Sequence, residues 1–164
     1  FLYASDANFD SYLHGGDQER KKRAGTENLP GIVAMVAALK EELANHDQNY
    51  QAVDDLQKVF LREIEGCSYY LNQGKKQLPY VLNIGFPGQK NDLLLLRLDL
   101  AGISISTGSA CTAGVVQPSH VLKAFYGEDS HRLSESVRIS FSSQNTKEEI
   151  IQLANTLKEI IGEK

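Results

Sequence analysis

From Ser106 to Gly114 the chain reads Ser-Thr-Gly-Ser-Ala-Cys-Thr-Ala-Gly, and Gln117-Pro118-Ser119-His120-Val121-Leu122 follows closely. Glycines at 108 and 114 widen the accessible backbone angles, and Ser109, Ala110 and Thr112 add no bulk that would pin the segment by packing. Cys111 is therefore mounted as a thiol that must travel would be. The plainer reading is a turn carrying a small, inert apolar thiol. A free thiol has a pKa of about 8.5, so a reactive Cys111 needs a positive neighbour to raise its thiolate fraction at neutral pH. His120 and the helix start at Ser119 are candidates, against a surface histidine that only packs locally. Cys67 reads as a structural or incidental thiol. The two cysteines could pair in principle, but a cytosolic pair is usually reduced.

A second chemical candidate is Arg138. In the run Val137-Arg138-Ile139-Ser140-Phe141 the apolar side chains alternate with Arg138 and Ser140, which predicts a strand with Arg138 facing away from its apolar side. Among small serines a forked guanidinium has room for a ligand. Its plainer role is a surface salt bridge. A third candidate is Thr26, just ahead of a helical run, where a hydroxyl and backbone amides suit a phosphate and equally suit a helix cap.

The elements that must position these residues follow from periodicity. Pro30 opens a helix with Val33, Val36, Ala37 and Leu43 that continues past Asn45 into Tyr50, Val53, Phe60 and Ile64. After the Asn72-Gln73-Gly74 turn, Tyr80, Leu82, Ile84 and Phe86 alternate as a half-buried strand. Asn91 or Asp92 is expected to cap a leucine-rich helix that stops at Gly102, and Ile103 to Ser106 to form a short strand from which the Cys111 segment is launched. Pro118 and Ser119 start a helix reaching Gly127. Thr146 and Glu149 form a capping box for a last helix whose Ile150, Leu153, Ala154, Leu157, Ile160 and Ile161 line one stripe.

The Cys111 segment resembles the catalytic loop of the cysteine desulfurases, S-S-G-S-A-C-x-S-G followed by E-P-S-H-V-L. Upstream, Gly15-Gly16-Asp17-Gln18-Glu19, Arg23-Ala24-Gly25-Thr26-Glu27-Asn28 and Pro30-Gly31 resemble that family's G-G-G-Q-E-x-x-x-R-S-G-T-E-N-x-P-G block, and Val137 to Ser142 makes a third match. Departures are Asp17 for glycine, Ala24 and Thr107 for serine, and Gln117 for glutamate. None removes a reacting group, although Asp17 and Gln117 alter local charge. Gln18 and Arg23 share the upstream block without an assigned role.

The resemblance implies a mixed α/β fold, an α+β small domain within the C-terminal part of a fold-type I pyridoxal-phosphate enzyme. On this reading residues 1–45 end the large cofactor domain, 46–70 form a bridging helix, and 71–164 form the small domain. It implies that Cys111 takes the sulfur of L-cysteine as a persulfide, which could transiently ligate an iron-sulfur centre, leaving L-alanine. Arg138 would hold the substrate carboxylate. Thr26 would bind the cofactor phosphate of a second subunit in a homodimer. None of the lysines follows a histidine as the family's cofactor lysine does, so that lysine, with the ring-stacking histidine and the aspartate on the ring nitrogen, is expected in a part of a longer enzyme that precedes Phe1. The isolated chain is then expected to be inactive. Sulfur acceptors in such enzymes are iron-sulfur scaffold proteins or tRNA thiolation enzymes. Two other classes stand beside this one: a non-catalytic sulfur-relay or docking module, and another pyridoxal-phosphate lyase or aminotransferase, which would not need Cys111.

Composition fits an ordinary cytoplasmic domain: 164 residues, 41% hydrophobic, net charge -4 and no tryptophan. Leu93 to Leu96 is the longest aliphatic block, far short of the ~20 residues of a bilayer span. The basic run Arg20-Lys21-Lys22-Arg23 lacks interleaved aromatics in an acidic chain, so direct nucleic-acid binding is not expected.

Overall fold

The structure, a computed structural model, describes residues 9–108 and 118–162. Contacts divide the chain into two units, Phe1–Asn45 and His46–Lys164.

In the first unit a short turn, α1 (Gln18–Lys21), carries Glu19, Arg20 and Lys21 in the left-handed region at φ 47°, 56° and 64°. Each costs an L-residue about 1–2 kcal/mol. Helix α2 is continuous over Leu29–Glu63, as the Pro30 start and the continuation past Asn45 anticipate. It is capped by Asn28, whose Oδ1 accepts the Gly31 N–H at 3.2 Å. Leu29, Val33, Val36 and Leu43 leave 64, 67, 40 and 67% of their surface exposed, and every buried residue of α2 lies at Val53 or later.

The second unit is built on a four-stranded antiparallel sheet in the order β1-β2-β4-β3. Its strands are β1 (Tyr70–Leu71), β2 (Val81–Gly85), β3 (Ser106–Thr107) and β4 (Ser136–Ser140). Alternation places Leu82 and Ile84 of β2 and Val137 and Ile139 of β4 in the core. Helix α3 (Asn91–Leu100) adds Leu94 and Leu98, and α6 (Lys147–Gly162) adds Ile150, Leu153, Ala154, Leu157 and Ile160. From α2, Phe60 packs edge-on against Phe141 at 6.1 Å between ring centroids; Phe60→Ala would cost about 3–5 kcal/mol.

The ends of these helices follow local chemistry. Thr146 Oγ1 accepts the Glu149 N–H at 3.2 Å, and Glu149 Oε2 accepts the Thr146 N–H at 2.9 Å, the expected reciprocal capping box. Helix α3 ends in a Schellman turn: Ile103 N–H donates to Leu98 O, Gly102 N–H donates to Asp99 O, and Gly102 takes φ 78°. Its start departs from expectation. Lys90 occupies the cap position without a side-chain bond, and Asn91 is buried, its amide donating to Leu133 O at 3.2 Å and Ser136 O at 3.1 Å. Asn91 thus supplies a donor to one buried and one part-buried carbonyl. The strand expected at 103–106 pairs only at Ser106 and Thr107, where it meets β4; Ile103 and Ile105 pack against the core.

Two short helices complete this unit. Helix α4 (His120–Tyr126) starts at Ser119, whose Oγ accepts the Leu122 N–H at 3.3 Å, and stops at Gly127 with φ 88°. Helix α5 (Arg132–Glu135) leads directly into β4.

Candidate active site

Strand β3 enters the Cys111 segment, and its place in the sheet fixes what lies beside that entry. The register pairs Ser106 with Arg138 and Thr107 with Val137. Arg138 Nε donates to Ser106 Oγ at 2.9 Å, and that hydroxyl lies 3.4 Å from Arg138 O, positioned to donate back. The guanidinium is thus half-buried and oriented by a serine at the root of the segment. Since Nε is committed, the two terminal nitrogens form the edge left to take a carboxylate. No carboxylate pairs with Arg138 among the described residues.

Cys111 itself falls in 109–117, outside the described residues. Both ends of that stretch are placed: Gly108 and Pro118 line one recess of about 320 Å³, together with Lys90 and Asp92. The candidate neighbours of the thiol resolve differently. Ser119 uses its hydroxyl as the α4 cap, and His120 is exposed on the first turn. Cys67 is a half-buried free thiol packed against the core.

In the first unit Thr26 is exposed, and the cap of α2 is Asn28, so the capping role weighed for Thr26 belongs two residues later. The roles of Gln18 and Arg23 become visible here. Gln18 Oε1 accepts the Gly25 N–H at 3.1 Å, and Arg23 Nη1 donates to Gly25 O at 3.3 Å, so both brace the turn that presents Thr26. Gly16 approaches so closely that a Cβ there would lie 2.4 Å from Gln18 Oε1. An uncommitted hydroxyl and an arginine ahead of a long helix form a donor set that suits a phosphate.

A polar network that local sequence patterns did not reveal stands behind α5. Arg132 lies between the rings of Tyr70 and Tyr126, its guanidinium carbon 4.2 and 4.4 Å from their centroids. Tyr70 Oη donates to Glu135 Oε2 at 3.1 Å, and partial burial, the main cause, raises its pKa above the ordinary phenol value. Its partners are some 60 residues away, beyond the reach of any periodicity.

The sequence profile described as aminotransferase class V matches residues 4–153. A relative in Bacillus subtilis (strain 168), named as a candidate cysteine desulfurase IscS, is 46% identical over 98% of this chain and 44% of its own length. The cysteine desulfurase IscS of Dictyoglomus turgidum is 36% identical over 91% of this chain and 38% of its own. Among solved structures, a NifS-like protein from Rickettsia africae superposes with a TM-score of 0.81 at 26% identity, covering 95% of this chain and 41% of that one. The chain spans roughly two fifths of the relatives it matches. Class V aminotransferases and cysteine desulfurases depend on pyridoxal phosphate. No helix among the described residues is long and apolar enough to cross a membrane.

Proposed function

The chain belongs to the class V aminotransferase family, and from that premise we propose that it supplies the sulfur-accepting and carboxylate-binding parts of a cysteine desulfurase. The observation that carries this reading is the Ser106–Arg138 pairing, which leaves the two terminal guanidinium nitrogens beside the strand leading to Cys111. Arg138 holds the carboxylate of L-cysteine through its terminal nitrogens. The Cys111 thiolate attacks the substrate sulfur: an S–S bond forms as the Cβ–S bond breaks, the electron pair stays with the carbon, and a proton delivered there completes L-alanine. Pyridoxal phosphate, when bound, makes the amino acid electron-poor enough for that step. The Thr26 hydroxyl and the braced Gly25 turn serve its phosphate, in the neighbouring subunit of a homodimer. Residues 1–45 act as the end of the large domain, 46–70 as the bridge and 71–164 as the small domain. The Cys111 persulfide then passes to an iron-sulfur scaffold or a tRNA thiolation enzyme, in a cytoplasmic setting.

The test uses an enzyme that unites this chain with a cofactor lysine. After one turnover with cysteine, mass spectrometry should find one extra sulfur on Cys111, Cys111→Ser should abolish it while cofactor stays bound, and Cys67→Ser should change nothing. Extra sulfur on Cys67 would sink the assignment. Persulfide uptake by this chain without cofactor would instead support a sulfur relay.

A further inference from the structure

Helix α4, which follows the Cys111 segment, buries little of itself among the described residues. It is seven residues long, with Leu122 its one buried side chain, while Val121 and Phe125 are 50 and 72% exposed. A helix this short is marginal without tertiary support. The Lys123–Glu128 ion pair at 2.6 Å is solvent-exposed and weak. Tyr126 ties the end of α4 to the sheet: it stacks on Arg132, which is stacked in turn on Tyr70 of β1.

Everything behind Arg132 is locked. Its Nη1 donates to Asn72 Oδ1 at 2.7 Å, and the Asn72 amide donates to Asn83 Oδ1 and Ser136 Oγ at 2.7 and 2.8 Å, which fixes the amide orientation. Tyr70 is held by Glu135, whose other oxygen accepts the Gly88 N–H at 2.9 Å. A rigid assembly on the sheet therefore presents one cation to one ring of α4.

We propose that Arg132 is a positioning residue, holding α4 and with it the downstream end of the Cys111 segment against the sheet that carries Arg138. The upstream end is fixed independently by the β3–β4 pairing. Loosening α4 and Ser119 slows sulfur transfer without touching Arg138 or Ser106. The catalytic half of this inference rests on the desulfurase reading; the structural half does not.

The experiment has two arms, with Arg132→Met, Arg132→Lys, Tyr126→Leu and the double variant Arg132→Met/Tyr126→Leu. On this chain, hydrogen exchange read by mass spectrometry should show residues 120–126 opening about tenfold more in Arg132→Met, a shift of 1.4 kcal/mol within the range of two cation–π contacts. Arg132→Lys should fall between, the double variant should open no further than the singles, and α6 should not change. In an enzyme completed with a cofactor lysine, kcat for alanine should fall severalfold to tenfold while KM for cysteine stays within twofold. Unchanged α4 exchange, equal acceleration in α6, or a rise in KM with kcat intact would overturn the proposal. If the unmodified enzyme makes no alanine, the desulfurase reading fails and the exchange arm still decides the clamp. Should Arg132→Met not fold, Tyr126→Leu asks the same question from an exposed position.

Discussion

Arg138→Lys keeps a positive charge on β4 and removes the fork. In the structure Nε is committed to Ser106 Oγ at 2.9 Å, so under the proposed function a substrate carboxylate meets the two terminal nitrogens, and a lysine ammonium reproduces at best one of those bonds. One lost charge-assisted hydrogen bond costs about 1.5–3 kcal/mol, which is roughly a ten- to hundredfold rise in KM for cysteine. Folding loses only the bond to Ser106, about 0.5–1.5 kcal/mol. Ser106→Ala separates orientation from binding: the fork remains but its brace goes, and the rise in KM should be about two- to tenfold. Initial rates of alanine formation in an enzyme completed with a cofactor lysine, paired with thermal melts, give both readouts. The reasoning requires Arg138→Lys to raise KM more than Ser106→Ala, with small changes in Tm. Normal cysteine kinetics and a clearly lowered Tm for Arg138→Lys would show a structural arginine and send the search for the carboxylate anchor elsewhere.

Thr26→Ala should weaken cofactor retention by about 1.5–3 kcal/mol; in a mixed dimer pairing a Thr26→Ala subunit with one lacking the cofactor lysine, normal retention at the working site shows that the threonine is shared, and loss there shows it acts within its own subunit. Glu149 has its pKa lowered from 4.5, first by the Thr146 backbone N–H and then by Asn145. Its capping contribution is therefore present above about pH 4.5 and lost as pH falls through the depressed value, so Tm should drop more steeply on acidification in the unmodified chain than in Glu149→Gln. Equal acid slopes would refute that. Pyridoxal phosphate added to the chain alone should give no stoichiometric, borohydride-trappable adduct on a single lysine.

What could be read from the sequence was what neighbours in sequence determine. The β2 alternation, the Gly102 stop, the Ser119 cap and the Thr146–Glu149 box all depend on residues within a turn or two of one another, where propensity and hydrogen-bond chemistry act directly. The Asn91 cap misled because its amide serves carbonyls more than 40 residues on, and a side chain that satisfies buried groups leaves no periodic trace. Strand β1 and helix α5 escaped for the same reason: two and four residues long, they exist through partners across the sheet. At the site, the side to which Arg138 points was visible in the alternation, but its partner was not, because only folding sets the register of β3 on β4.

The contact between Gly85 and Tyr70 fixes the order in which this part of the chain can change in evolutionary time. A Cβ at Gly85 would lie 2.2 Å from the ring carbons of Tyr70, and that ring cannot swing aside cheaply, being bound to Glu135 and stacked with Arg132. Gly85→Ala is therefore closed to a lineage as long as residue 70 is aromatic. Tyr70→Leu is open at any time, at the cost of the stack, and once it has occurred Gly85→Ala becomes permissible. Lineages can leave the Tyr70–Gly85 pair in that order, and to regain it they must restore the glycine before the ring.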